Sequence, residues 1–134
     1  MRLLLDTHMV IWAALDPDAL TAAERNHMAA TDRPLVLSAV PAWELRLKWH
    51  SFHISGERKG PLGPAAVVAF AQAMDCELLP LTPAHAAAGL DQPLGHKDPF
   101  DELLLVQAQE EGMRLLTRDA RLAGHPFAIV GGRD

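Results

Sequence analysis

Apolar residues occur along this chain in short runs, separated by longer stretches with helical spacing. Five of the runs have the length and composition of buried strands, at residues 3–5, 35–38, 77–81, 114–117 and 127–130. Strands that are apolar along their whole length are typical of parallel sheets, because helices cover both faces of such a sheet. The alternation of strands and helices therefore predicts an α/β fold built on a parallel sheet.

The stretches between these strands carry helix start and stop signals. Thr21 and Glu24 have the spacing of a capping box, in which both side chains bond to the backbone at a helix start. Gly112 is suited to end a helix, because glycine adopts the left-handed conformation without strain. Helices are predicted over residues 9–15, 22–30, 40–50, 64–74, 83–88 and 98–111, with a loop or mobile flap at 52–63 and a connection at 90–97.

Length and composition bound the fold and the location of the protein. With 134 residues, of which 49% are hydrophobic, the chain can bury a core, and no repeat or linker divides it. We therefore expect a single domain over residues 1–134. No apolar run approaches the roughly 18 residues of a membrane-spanning helix. Asp6 follows only three leucines, which is too soon for a signal peptide, so a cytoplasmic protein without membrane association is expected.

The cysteine and the histidines show no zinc-binding pattern. Cys76 is the one cysteine, so it cannot form an internal disulfide, and we expect it to be a buried small apolar residue. The seven histidines are scattered. His50 and His53 are three residues apart, but His53 is expected to lie beyond the end of its helix.

Acidic residues follow the predicted strands at their carboxyl ends. Asp6 comes directly after the first strand, and Glu44 lies in the helix after the second. Asp98 and Asp101 open the helix before the fourth strand, and Asp119 lies two residues beyond that strand. Ligands of open α/β sheets bind outside the carboxyl ends of the strands. Four separate segments are thus expected to bring carboxylates to one edge of the sheet.

A cluster of carboxylates at one edge points to a metal site. Carboxylates brought together without cations repel one another, which raises their pKa values and destabilises the fold. Such a cluster is tolerable when it binds a hard cation, and Mg²⁺ takes oxygen ligands and commonly works on phosphates. One or two such ions can polarise a phosphodiester and activate a water. No serine–histidine–acid arrangement, cysteine–histidine arrangement or phosphate-binding glycine loop competes.

Each acid also has a purely structural interpretation. Asp6 is suited to cap the first helix, because aspartate is a favoured N-cap. Glu44 stands four residues before Lys48, the favourable order for a surface ion pair. Asp98 before Pro99 fits a helix N-cap followed by proline. The remaining two aspartates fit a first helical turn and an ordinary turn. Their shared position at one sheet edge is what favours the metal site.

Five blocks of the sequence form a recognisable pattern. They are Leu3-Leu4-Leu5-Asp6-Thr7-His8 with Trp12, Ser38-Ala39-Val40 with Trp43-Glu44-Leu45 and Lys48, Pro80-Leu81-Thr82 with His85, His96-Lys97-Asp98-Pro99-Phe100-Asp101 with Gln107-Ala108, and Leu115-Leu116-Thr117-Arg118-Asp119. These blocks resemble, in family order, those of PIN-domain proteins, specifically the VapC-like toxins of bacterial type II toxin–antitoxin pairs. They span nearly the whole chain, and the block around Asp98 is the most specific.

The resemblance implies a three-layer α/β/α fold with a mainly parallel sheet of four or five strands. It further implies an endoribonuclease that depends on Mg²⁺ or Mn²⁺ and leaves a 5′-phosphate and a 3′-hydroxyl. The implied partners are an RNA substrate, a small cognate antitoxin whose tail enters the active site, and a second copy of the chain in a homodimer. The implied catalytic and metal-binding quartet is Asp6, Glu44, Asp101 and Asp119, with Asp98 as a metal ligand or helix cap and Thr7, Ser38 and Thr117 as polar support.

Two parts of the chain depart from the family pattern. Glu102 stands where relatives usually carry arginine, which adds negative charge beside the expected site. Residues 48–63, with Arg58-Lys59-Gly60-Pro61, differ from the usual stretch after the lysine, so no substrate contact is carried over there.

The net charge of −5 opposes a nucleic-acid partner, since neutralisation of phosphates by basic residues drives RNA binding. Setting aside the four acids of the predicted quartet leaves the rest of the chain close to neutral. Eight basic residues are then candidates for an approach path, or else ordinary solvated surface: Arg46, Lys48, Arg58, Lys59, Lys97, Arg114, Arg118 and Arg121.

The sequence leaves open the roles of one histidine and three tryptophans. His96 adjoins Asp98 and fits either a substrate contact or a loop residue without a role. Trp12, Trp43 and Trp49 stand at helical apolar positions, which favours core or dimer contacts over stacking on bases.

Two other functions compete with the ribonuclease. A receiver or a haloacid dehalogenase-like enzyme also places an aspartate after the first strand. The receiver needs an aspartate after the third strand, where Leu81-Thr82-Pro83 stands, and the dehalogenase needs one where His8 stands. A non-catalytic module for RNA or protein binding on the same fold is the alternative. The complete set of acids opposes it, because loss of catalysis removes the reason to hold repelling acids together.

Overall fold

The sheet has five strands, all parallel to their neighbours. In the computed structural model, which describes residues 2–131, the strand order is β3-β2-β1-β4-β5. The strands are β1 (Leu3–Leu5), β2 (Val36–Ser38), β3 (Glu77–Leu79), β4 (Arg114–Thr117) and β5 (Ala128–Val130). The predicted α/β class and parallel sheet are confirmed. The third strand is shorter than predicted because Pro80 cannot donate a backbone hydrogen bond to the sheet.

Within residues 2–131, six helices connect the strands. They are α1 (Thr7–Leu15), α2 (Ala22–Ala30), α3 (Ala39–Trp49), α4 (Pro64–Ala73), α5 (Pro83–Ala87) and α6 (Pro99–Glu111), with short 3₁₀ turns at Pro17–Ala19 and Ala120–Leu122. The predicted capping box of Thr21 and Glu24 is formed, and Gly112 ends α6 at a φ of 66°. The helix α1 begins two residues earlier than predicted, because the Asp6 side chain accepts a hydrogen bond from Met9 N and caps its first turn.

The core lies in two layers, one on each face of the sheet. Along β1, Leu3 and Leu5 pack in one apolar cluster with Met9 of α1 and Val67 of α4. Leu4 points to the opposite face, in a second cluster that includes residues of α6. Helices therefore cover both faces, which gives the predicted three-layer α/β/α arrangement. Complete burial of a leucine contributes about 1.5–3 kcal/mol, so the two layers supply much of the folding free energy.

The strand order sets the place of the site. From β1 the chain moves to β2 and β3 on one side and then returns to β4 on the other side of β1. The order reverses between β1 and β4, and ligands of such sheets bind at the carboxyl ends of the strands at this reversal. Asp6 N donates to Leu116 O at 3.2 Å, so the residue after β1 is held against the end of β4.

The predicted loop at 52–63 is held by specific contacts. The Arg58 guanidinium lies over the rings of Trp49 and Phe52, at 4.5 Å and 4.9 Å from their centroids. Gly60 passes so close to α3 that a Cβ there would lie 2.8 Å from Trp49 N. Only glycine fits this approach.

Cys76 is less buried than the sequence pattern predicts, and the three tryptophans are all partly exposed. Cys76 is half-buried against the first apolar cluster, and this burial raises the pKa of its thiol. Trp43 is 42% exposed and meets Phe100 edge to face, with 5.2 Å between ring centroids. Trp12 and Trp49 are half-buried. Within residues 2–131, no helix has the length and apolar character required to cross a membrane.

Candidate active site

A pocket of about 390 Å³ opens at the carboxyl ends of β1 and β4. All five acids singled out in the sequence line it: Asp6, Glu44, Asp98, Asp101 and Asp119. Three cations, Lys48, Arg118 and Arg121, also line it. The separate segments that carry the acids thus meet at one place, as predicted from their positions after the strands.

Asp6 is a helix cap and a pocket residue at once. Its Oδ1 accepts from Met9 N at 2.9 Å, and its Oδ2 accepts from Thr117 Oγ1 at 2.5 Å. The residue is only 7% exposed. Burial raises the pKa of Asp6 above its usual value, although these two hydrogen bonds oppose the shift, and the charge of Asp101 raises it further.

Glu44 projects into the pocket from α3 and is also buried. Its Oε1 accepts from Thr7 Oγ1 at 2.7 Å, and its Oε2 accepts from Lys48 Nζ at 2.6 Å. The ion pair with Lys48 that the spacing indicated is therefore formed, but on a carboxylate that is 8% exposed rather than at the surface. Thr7 and Thr117 each hold one carboxylate of the pocket in place.

Asp98 and Asp101 come from the start of α6. Asp98 Oδ1 accepts from Phe100 N at 2.9 Å and from Asp101 N at 3.3 Å, so Asp98 caps the helix as its position before Pro99 indicated. Asp101 Oδ2 lies 3.1 Å from His96 Nε2. Burial raises the pKa of Asp101, and the charges of Asp98 and Asp119 add to the rise against the hydrogen bond from His96.

Asp119 follows β4 and is paired with a cation. The Arg121 guanidinium donates to it through Nη2 at 2.8 Å to Oδ2 and through Nε at 3.1 Å to Oδ1. These hydrogen bonds lower the pKa of Asp119. Arg121 Nη2 is also 3.9 Å from Asp101 Oδ2, so this side chain brings positive charge between two acids of the pocket.

His96, whose role the sequence left open, lies in the acidic cluster. One ligand atom each of His96, Asp101 and Asp119 lie within 4.8 Å of one another, a spacing that a single metal ion could span. The sequence feature that pointed to this histidine as a possible site residue is its position two residues before Asp98, in the loop that leads into α6. Spacing alone could not decide it, because the direction of a loop side chain depends on how the loop packs.

Glu24 was identified in the sequence only as part of a capping box. It is fully buried and accepts from Arg118 Nε at 2.9 Å, and Arg118 also lies over the Trp12 ring at 3.9 Å from its centroid. Burial is the largest single effect and raises the pKa of Glu24, but the hydrogen bonds from Arg118 and Thr21 and the charge of Arg118 together outweigh it and lower the pKa. The pair fixes one wall of the pocket, next to Asp119. No local sequence signal links two residues that are 94 positions apart.

Ser38 lies outside this pocket. It ends β2, its Oγ accepts from Val40 N at 3.0 Å to cap α3, and its hydroxyl bonds to Gln107 Oε1 of α6. Gln107 Nε2 lies 3.2 Å from His85 Nδ1, and His85 Nε2 lies 2.8 Å from Glu111 Oε1. Ser38 thus acts on the helix that carries Glu44 and does not face the acids itself.

Comparison with known proteins agrees with this geometry. The family model of the PIN domain matches residues 3–128. The chain belongs to the PIN-domain family. It is similar to "Ribonuclease VapC22" of Mycobacterium tuberculosis, with 29% identity over 123 residues that cover 91% of this chain and 90% of the relative. A solved structure described as a toxin-antitoxin complex from Klebsiella pneumoniae shares the fold, with a TM-score of 0.62 and 19% identity over 98% of each chain.

The donor set of this PIN-domain pocket fits a hard divalent cation. Asp6 is buried among hydrogen-bond donors that are neutral, and Asp101 faces an imidazole and two other carboxylates. A bound cation would favour the ionised form of both carboxyls and so oppose the rise in their pKa values. Carboxylate oxygens suit both Mg²⁺ and Mn²⁺.

Proposed function

We propose that this chain is a metal-dependent endoribonuclease that acts as the toxin of a toxin–antitoxin pair. The observation that carries the proposal is the meeting of five carboxylates from four segments in one pocket at the carboxyl edge of the sheet. The name of the VapC22 relative supports RNA as the substrate, and the description of the Klebsiella structure supports an antitoxin as partner. The block resemblance supports both.

The pocket residues divide into metal ligands and residues that position them. Asp6, which is buried, and Asp101, which is half-buried, are the strongest candidates for direct ligands, because a cation would counter the effects that raise the pKa values of both carboxyls. Glu44 and Asp119 complete the catalytic quartet. Asp98 caps α6 through Oδ1, and we assign it a share in the metal site through its other oxygen. Bound Mg²⁺ or Mn²⁺ would polarise a phosphodiester and lower the barrier to attack by water.

The residues around the acids keep their geometry fixed. Thr117 and Thr7 donate hydrogen bonds to Asp6 and Glu44, so each carboxylate is held in one orientation. Such preorganisation matters because catalytic groups act only within a narrow range of positions. Ser38 contributes less directly, by capping the helix that carries Glu44.

Three cations at the pocket offer contacts for the RNA backbone. Of the eight basic residues considered in the sequence, Lys48, Arg118 and Arg121 line the pocket, and Lys97 lines a neighbouring cavity. They would counter the phosphate charge near the acids, so the overall charge of −5 is compatible with RNA binding.

The test of this function is cleavage of RNA by the purified protein. Incubation with structured RNA should give fragments in Mg²⁺ or Mn²⁺ and none in EDTA. Asp6→Asn should lower the rate by about 100-fold or more, since even residues that only orient a metal ligand are worth about 10–100-fold. The matched control is Asp32→Asn, which changes an exposed aspartate outside the pocket and should leave the rate unchanged.

Three outcomes would contradict the proposal. A folded Asp6→Asn protein with a near-normal rate would remove Asp6 from the site. Cleavage that persists in EDTA would point to a contaminating nuclease. RNA binding without cleavage of any RNA would favour the non-catalytic module. The homodimer, the single domain over residues 1–134 and the cytoplasmic location belong to the same proposal, and light scattering of the purified protein tests the dimer.

A further inference from the structure

A second cavity, of about 500 Å³, opens beside the acidic pocket. Four of its lining residues are apolar: Leu90, Pro93, Leu94 and Pro99. Three charged residues, Lys97, Asp98 and Glu102, line it as well, together with His96. A mainly apolar wall with a few polar groups is typical of sites that take one small flat ligand.

The cavity adjoins the acidic pocket directly. Asp98 lines both of them. His96 lines the second cavity, and its Nε2 is 3.1 Å from Asp101 Oδ2 in the first. An RNA strand with a phosphate among the acids would therefore bring a neighbouring nucleotide to this second cavity.

The loop that forms the cavity is held in place by the rest of the fold. Leu90 and Leu94 pack against the second apolar cluster. Gln109 of α6 ties down the start of the loop, with Nε2 donating to Gly89 O at 3.0 Å and Oε1 accepting from Asp91 N at 2.9 Å. His125 Nε2 donates to Gln92 O at 2.9 Å. The cavity is thus formed before any ligand binds, which lowers the entropy cost of binding.

Lys97 and Glu102 differ in hydrogen-bonding character, which would favour some bases over others. An ionised glutamate only accepts hydrogen bonds, and a lysine only donates them. The Watson–Crick edge of guanine carries two adjacent donors, N1–H and the N2 amino group, beside the acceptor O6. Adenine, cytosine and uracil each place an acceptor next to their donor on this edge, which a carboxylate would repel. Unstacked bases of single-stranded RNA present this edge to proteins.

We propose that this cavity binds a guanine base next to the phosphate that is cut, with Glu102 accepting from N1–H and N2–H and Lys97 donating to O6. The proposal rests on the proposed ribonuclease function and adds a base preference to it. The apolar walls would contact the faces of the ring, and Lys97 and Glu102 would form hydrogen bonds with its edge. This assigns a role to Glu102, the residue that departs from the family pattern.

The experiment compares short single-stranded RNAs that differ at one position. An oligouridine carries a single guanosine, adenosine, cytidine or inosine, and kcat/KM for cleavage beside that position is measured in Mg²⁺. We expect guanosine to exceed adenosine by about tenfold or more, as bidentate contacts to a base discriminate by this order. Inosine, which lacks the N2 amino group, should fall between them.

Variants of the charged residues test the assignment further. Glu102→Gln and Lys97→Gln should each lower the ratio of the guanosine rate to the adenosine rate. Glu110→Gln changes an exposed glutamate elsewhere on α6 and should keep the ratio of the unmodified protein. Binding of the same RNAs to the Asp6→Asn protein, followed by fluorescence anisotropy, should show the same order of bases without cleavage.

The outcomes separate this inference from the function on which it rests. If no RNA is cleaved under any condition, the proposed function fails. If RNA is cleaved at equal rates beside all bases, only the guanine site is overturned, and an apolar peptide side chain becomes the better occupant. A guanosine preference that survives both Glu102→Gln and Lys97→Gln would also overturn it.

Discussion

Single residues of this chain serve the fold and the candidate site together. Asp6 caps α1 with one oxygen and presents the other to Thr117 in the pocket. Asp98 caps α6 from within the same pocket. The structural and functional interpretations of these aspartates were alternatives in the sequence. The structure shows the caps, and the proposed metal site is compatible with them, because a cap uses one carboxylate oxygen and leaves the side chain at the edge of the sheet.

Glu24 carries a prediction at this scale. Glu24→Gln should lower the free energy of unfolding at neutral pH by about 1–3 kcal/mol, because the buried hydrogen bonds of Arg118 would lose their charged acceptor. Chemical denaturation measures this, and Glu57→Gln, at an exposed glutamate, is the control and should change little.

The pH dependence of this difference follows from the lowered pKa of Glu24. A carboxyl whose pKa is lowered by folding stabilises the fold at pH values above its ordinary pKa of 4.5. That stabilisation is lost as the pH falls through the lowered pKa. The gap between the native protein and Glu24→Gln should therefore be full at pH 7 and shrink below about 4.5. A gap that stays constant down to acid unfolding would show that Glu24 does not act through its charge.

At the scale of elements, helix starts determine where the acids lie. The caps at Asp6, Ser38 and Asp98 begin α1, α3 and α6 at the carboxyl edge of the sheet. Each cap sets the first turn of its helix, and with it the direction in which Thr7, Glu44 or Asp101 projects. The caps at Asp6 and Asp98 were predicted from local residue types, since capping depends on bonds between residues two or three apart, whereas the cap at Ser38 was not predicted.

Ser38 tests the link between a cap and the site. Ser38→Ala removes the bond to Val40 N and leaves the buried Oε1 of Gln107 without its donor, so the free energy of unfolding should fall by about 1–3 kcal/mol. We also expect weaker RNA cleavage, because Glu44 is carried on the destabilised helix. Ser55→Ala, in the exposed loop, is the matched variant, and equal effects of the two substitutions would argue against a capping role.

At the scale of the whole molecule, the sheet brings together carboxylates that are distant in the chain. Asp6 and Asp119 are separated by more than a hundred residues, yet both lie at the ends of neighbouring strands, because Leu5 pairs with Leu116 in the register of β1 and β4. The repulsion of Asp101 with Asp6, Asp98 and Asp119 is a cost to the fold that a bound cation would relieve.

Divalent metal should therefore stabilise the entire fold. Mn²⁺ at about 100 times its Kd should raise the free energy of unfolding by about 2.7 kcal/mol, since it binds the folded state alone. Thermal unfolding with Mn²⁺ and with EDTA measures the shift, which Asp6→Asn should abolish and Asp32→Asn should keep. Equal melting temperatures in Mn²⁺ and EDTA would contradict a metal site in this pocket.

The sequence by itself determined the approximate bounds of the strands, the helix caps at Asp6, Thr21 and Asp98, the α/β class and the positions of five acids after the strands. These features depend on apolar periodicity and on bonds between near neighbours, which a single sequence displays. Only the tertiary structure decided that His96 joins Asp101 and Asp119, that Arg118 pairs with Glu24, and that Ser38 faces Gln107 instead of the pocket. Such contacts depend on how loops and helices pack across the sheet, and the spacing of residues along the chain does not reveal that packing.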